Sequence, residues 1–66
     1  MQLTVNGQDR QCADGLTVAA LLAELAIEPQ RCAVELNEEL VPRARHGETV
    51  LQDADRLEIV TLVGGG

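Results

Sequence analysis

Apolar and polar residues alternate from Met1 to Val5, placing Leu3 and Val5 on one face of an extended segment. Asn6-Gly7 follows, a dipeptide that favours a two-residue turn between antiparallel strands. A two-residue turn sets Val5 opposite Gln8, Leu3 opposite Arg10 and Met1 opposite Cys12. The returning strand, Gln8 to Cys12, is then polar on both faces except at Cys12, as suits a sheet edge protected against further pairing. Asp14-Gly15 ends the alternation. Val18, Leu21, Leu22 and Leu25 then recur at the i, i+3, i+4, i+7 spacing of an amphipathic helix. Thr17 is placed to cap its first turn, and Leu16 and Leu21 are spaced as a hydrophobic staple. Pro29 disfavours helical geometry at Glu28, so the helix is expected to end near Ala26. A helix this short is marginal alone and must lie on a sheet.

Alternation resumes from Arg31 to Leu36, with Cys32, Val34 and Leu36 inward and Arg31, Ala33 and Glu35 outward. Asn37-Glu38-Glu39 reads as a turn and Leu40-Val41 as a short return strand closed by Pro42. Arg43-Ala44-Arg45-His46-Gly47 is the one basic cluster, either a solvated loop or a contact site, and His46 has no second histidine or nucleophile at a readable spacing. Thr49-Val50-Leu51 is briefly apolar, and Asp53-Ala54-Asp55 reads as a turn before Arg56 opens the last strand. In that strand Leu57, Ile59, Thr61 and Val63 share one face, but Val60 and Leu62 make the other face apolar too. Strands apolar on both faces are usually central and covered on both sides. One helix covers only one face, so Val60 and Leu62 lie either under an irregular loop or in an exposed patch of the kind that binds partners.

The order of elements predicts an α+β fold in which one helix crosses a mixed sheet. Composition narrows the functions such a fold can serve. Sixty-six residues make one domain near the lower size limit for a self-sufficient core. That core must be built from ten Leu, seven Val and two Ile, with no aromatic residue. The lack of stacking groups and a net charge of −6 argue against nucleic acid as a partner. The same acidity fits either simple solubility or an encounter with a basic patch on a protein partner. No segment approaches the length of a membrane span and no signal peptide is legible, so a cytoplasmic location without membrane contact is expected. Cys12 and Cys32 show neither metal-ligand nor redox spacing and read as small buried apolar residues, although their separation in space is not legible. No nucleophile and base or metal-ligand set can be found, so no catalytic or metal site is expected.

The chain closes on Gly64-Gly65-Gly66. Glycine has no Cβ, so such a stalk can thread a slot closed to larger residues, and three extended residues reach roughly 10 Å. A domain over residues 1–63 with a flexible tail at 64–66 would carry its last carboxylate into another protein's active site. A frayed terminus is the alternative.

MQLTVNG, TVAALLAEL, AVELNEELVPR, DADRLEIV and the terminal VGGG, in this order over the whole length, resemble the ThiS sulfur carriers of thiamin biosynthesis. These are small ubiquitin-like β-grasp proteins with a sheet of four to five strands. The resemblance implies that a ThiF-like adenylyltransferase uses ATP to convert the carboxylate of Gly66 to an acyl adenylate. Sulfur drawn from a cysteine desulfurase system then leaves a thiocarboxylate, which a ThiG-like thiazole synthase consumes. Gly64, Gly65 and Gly66 would enter the partners' active sites, and Val60 and Leu62 would dock them. The chain itself would bind no cofactor and catalyse nothing, because activation of the carboxylate happens in the partner. Ala54 stands where this family's pattern suggests Asp-Gly-Asp, so a turn with positive φ would be strained there. The small subunit of molybdopterin synthase and a ubiquitin-like protein modifier are the competing readings. The absence of lysine, which precludes ordinary lysine-linked self-chains, weighs against the modifier.

Overall fold

Residues 1–62 are described by a computed structural model, and Val63 and the three terminal glycines lie outside the described residues. Five strands, β1 (Gln2–Val5), β2 (Gln8–Gln11), β3 (Cys32–Leu36), β4 (Glu39–Val41) and β5 (Arg56–Thr61), form one sheet in the order β2-β1-β5-β3-β4. β1 and β5 run parallel and all other neighbours are antiparallel, which is the mixed β-grasp arrangement. The expected hairpin register holds, with Val5 opposite Gln8 and Leu3 opposite Arg10. The pairing continues to Met1 and Cys12, each of whose nitrogens donates to the other's carbonyl oxygen, at 2.7 and 2.8 Å. Polar β2 is indeed an edge strand.

Two turns are tied to the central strand by their asparagines, for a reason that periodicity does not carry. Asn6 and Asn37 take φ of 50° and 51°, left-handed values that asparagine tolerates better than most residues. Asn6 then extends β1 with its side chain: Nδ2 donates to the Ile59 carbonyl at 3.1 Å and Oδ1 accepts from the Ile59 N–H at 2.7 Å. Asn37 does likewise one strand over, with Oδ1 accepting from the Arg56 N–H at 3.0 Å and Nδ2 donating to Asp55 Oδ1 at 3.0 Å. The second turn consists of Asn37 and Glu38 alone. Glu39, expected in the turn, opens β4 because a two-residue turn pairs Leu36 directly with Glu39.

The helix α1 (Val18–Glu24) starts as the sequence indicates, with Thr17 accepting the Ala20 N–H on its hydroxyl at 3.1 Å. Leu16 and Leu21 are both buried in the same core, as the staple requires. It stops earlier than expected, with Leu25 as C-cap. Ala26 swings to φ 58°, its N–H donates to Ala23 O at 3.1 Å, and the Ile27 N–H donates to Leu22 O at 2.9 Å. This is a Schellman ending with alanine where glycine is usual, so the backbone reversal ends the helix and Pro29 only opens the 3-10 turn Pro29–Arg31 that follows. Arg31, expected in the next strand, sits in that turn, so β3 begins at Cys32.

The buried face of α1 (Val18, Leu21, Leu22) packs with Leu3, Val34, Leu51, Leu57 and Ile59 on one side of the sheet. Val50, read as part of the same apolar stretch as Leu51, is exposed and bridges to Thr17 instead. His46 is the one buried polar residue among the described residues, 3% exposed. Its Nε2 lies 3.1 Å from the Val41 carbonyl, and its own carbonyl accepts from the Ala19 N–H at 3.0 Å. It therefore fastens the 3-10 turn Arg43–Arg45 between β4 and α1, a structural role that its polar neighbours in sequence conceal.

Ala54 has φ 72°, so the turn does need the positive φ at which alanine, in place of the glycine of the family's pattern, is strained. Its N–H nevertheless donates to Gln2 O at 2.8 Å and ties the turn to β1. An L-residue with a Cβ is disfavoured there by about 1 kcal/mol. Ala54→Gly is expected to stabilise the domain by roughly that amount and raise its thermal midpoint by about 4–8 °C, a shift readable by circular dichroism.

Candidate functional site

The candidate site is the exit of β5, and the elements around it decide which side chains face outward there. Lying between β1 and β3, β5 is hydrogen-bonded on both edges and makes a rigid base for whatever follows it. Leu57 and Ile59 enter the core. Val60 and Leu62 stay 59% and 56% exposed on the face without a helix, which resolves the alternative left by the sequence in favour of an open patch. Ala33 is the cross-strand partner of Val60. Just past the strand, the Leu62 N–H donates to the Arg31 carbonyl at 2.7 Å, so backbone pairing persists to the last described residue. An open depression of about 570 Å³ lined by Ala26, Ile27, Glu28, Arg31, Thr61 and Leu62 adjoins this point. Gly64, Gly65 and Gly66, the predicted threading and modified residues, lie outside the described residues.

The same outer face carries more than the two residues singled out from sequence. Glu35 pairs across with Glu58 on one side and with Leu40 on the other, so all three point away from the helix together with Val60. Leu40 is 65% exposed, the most exposed large apolar side chain among the described residues. The hairpin register would have revealed this grouping, but only with a two-residue turn at Asn37 and Glu38.

Of the two cysteines, only Cys32 lies beside the site. Cys32 pairs with Thr61 at the end of β5, and Cys12 pairs with Met1 before the start of β1, which runs parallel to β5. The two free thiols therefore lie at opposite ends of the sheet. Burial pushes the Cys32 thiol up from its ordinary value, and its Sγ sits 3.7 Å from the Pro29 carbonyl, so it remains a thiol at neutral pH. Arg45 pairs with Glu48 at 3.4 Å on the surface. Among the described residues no three His, Cys, Asp or Glu side chains are grouped to hold a metal ion, and no helix is long and apolar enough to cross a membrane.

Residues 3–66 match the model of the ThiS family. Over its full length and that of its relative the chain is 35% identical to the sulfur carrier protein ThiS of Escherichia coli. It is 40% identical over 65 residues to the sulfur carrier protein ThiS of Bacillus subtilis, covering 97% of this chain and 98% of that one. A further relative is a thiazole synthase of Paramagnetospirillum magneticum, 42% identical, of which this whole chain spans only 20%. The crystal structure of a thiamine biosynthesis protein (ThiS) from Geobacter metallireducens superposes with a TM-score of 0.85 at 36% identity, covering all of both chains.

Proposed function

The chain belongs to the ThiS family, whose sulfur transfer serves thiazole formation in thiamin biosynthesis, and on that premise we propose that Gly66 is the atom-carrying end of a sulfur carrier. The family match running through residue 66, and so through the glycine tail, is the observation that carries this reading. A carboxylate is a poor electrophile because its charge is delocalised and its leaving group would be oxide. An adenylyltransferase partner using ATP supplies AMP as the leaving group. Hydrosulfide, released from the donor's persulfide by a thiol reductant, then attacks the acyl carbon of Gly66 and loses its proton, AMP departs, and one oxygen of the carboxylate has been exchanged for sulfur. Thiazole synthase is the acceptor, and a cysteine desulfurase system the source.

The division of labour follows from physics that the chain can supply. Gly64, Gly65 and Gly66 add no side chains and so suit a narrow access channel. Val60 and Leu62 give the partner an exposed apolar surface a few residues before Gly66 in sequence, where docking would fix the tail's entry point without occupying it. The carrier holds no cofactor of its own and works in the cytoplasm alongside these enzymes.

Intact-mass measurement tests the reading. Protein purified from a sulfur-replete host is expected to contain a fraction in which sulfur replaces one oxygen, and incubation with the cognate activating enzyme, ATP and sulfide enlarges it. Absence of that species under both conditions would sink the proposal. Complementation of a thiazole auxotroph, but not of a molybdenum-cofactor mutant, assigns the pathway.

A further inference from the structure

On the face of the sheet that α1 leaves open, Glu35 and Glu58 stand directly opposite each other on neighbouring strands. Like charges in that position destabilise a sheet, and no ion pair among the described residues engages either carboxylate. Among the described residues, Arg10 pairs with Glu24, Arg31 with Glu28 and Arg45 with Glu48, and no cation pairs with Glu35 or Glu58. Arg56, two residues before Glu58 on the same face, makes no ion pair with either carboxylate. The pair is flanked by exposed aliphatic groups: Leu40 beside Glu35, and Val60 next along β5 from Glu58.

An acidic pair alone would be a hydrated surface. Set among uncovered Leu40, Val60 and Leu62, it forms a surface whose apolar part favours desolvation and whose charged part forbids it unless a cation arrives with the partner. We propose that thiazole synthase seats on this helix-free face, with an arginine set between Glu35 and Glu58 and aliphatic side chains packed on Leu40, Val60 and Leu62. Arginine fits better than lysine because its planar fork presents several donors and can bridge two carboxylates at once. The choice of occupant follows the thiazole synthases of Paramagnetospirillum magneticum and Magnetococcus marinus, and the acidic pair sets the charge its surface must bring. In each of them a segment matching this whole chain makes up 20% of the polypeptide, so a carrier-like segment and a protein named thiazole synthase share one chain. This inference rests on the sulfur-carrier reading and adds to it the chemistry of the partner's surface.

Glu35→Gln, Glu58→Gln and the double variant keep side-chain size and remove the charge. Binding of each purified full-length variant to the purified cognate thiazole synthase is measured calorimetrically over a range of salt concentrations, with thermal midpoints recorded for the free carriers. The double variant is expected to bind at least tenfold more weakly at low salt and with a shallower salt dependence, while melting at the same temperature as the parent or higher. Unchanged affinity and salt dependence would overturn the proposal, and so would weakened transfer confined to the adenylyltransferase step. Parent protein is assayed in parallel for thiocarboxylate formation. If it forms thiocarboxylate while the variants bind the synthase normally, the face assignment fails and the carrier reading stands. If the parent never forms it, the carrier reading itself fails and takes this proposal with it.

Discussion

An extra residue placed after Gly66 is expected to abolish thiocarboxylate formation while the domain folds unchanged. The extension turns the Gly66 carboxylate into an amide and moves the nearest free carboxylate outward by roughly 3.5 Å. A misplacement of only about 1 Å can cost on the order of 10²-fold in rate, so a shift of several ångströms should remove activity from any practical assay. The core lies between Leu3 and Ile59, with every buried apolar side chain of the described residues inside that span. Thermal unfolding of the extended protein is therefore expected to match the parent. Gly65→Val separates the two parts of the argument. It leaves the carboxylate in place and adds a branched side chain, so the yield of thiocarboxylate falls through blocked entry and recovers in part at high partner concentration. An extended protein that still gained sulfur without trimming would refute the assignment of Gly66.

Leu22→Ala is expected to have the largest effect on stability. Leu22 is fully buried on α1, and its carbonyl accepts the Ile27 N–H that reverses the chain at the helix end. Truncating a buried leucine to alanine removes about 2–5 kcal/mol, part from lost transfer energy and part from the cavity left behind. A domain of this size at 0.05–0.15 kcal/mol per residue has roughly 3–10 kcal/mol in all. The single change should therefore leave a substantial unfolded population at 37 °C, visible in urea unfolding as a large drop in midpoint at an unchanged slope. Leu40→Ala, at an exposed position, is the control and should move stability by no more than about 0.5 kcal/mol. Equal losses for the two would mean that the core is not where the packing puts it.

Local chemistry made much of this protein legible. Asn6-Gly7 specified both the turn and its register, because a two-residue loop with left-handed residues leaves one way to pair the flanking strands. Thr17 and the leucine spacing located the start of α1, and the glycine in the family's Asp-Gly-Asp pattern, not the turn residues themselves, pointed to strain at Ala54. The helix ends at Glu24, two residues short of the expected Ala26, because Ala26 adopts a backbone conformation that alanine's propensity does not advertise. His46 escaped notice as a core residue because its neighbours Arg45 and Gly47 are exposed, and only the approach of β4 and α1 gives its ring a buried place and an acceptor.

For the site, the glycine tail, the double-sided apolar character of the last strand and the resemblance to the family were legible in residue order alone. The tertiary structure decided which of the two apolar faces is buried, because only the position of β5 between β1 and β3 and the crossing of α1 on one side make Val60 and Leu62 outward. It alone brought Glu35, Leu40 and Glu58 together from three strands. Side-chain alternation along a strand is encoded locally, but neighbours across strands depend on register and sheet order, and these are set by long-range packing.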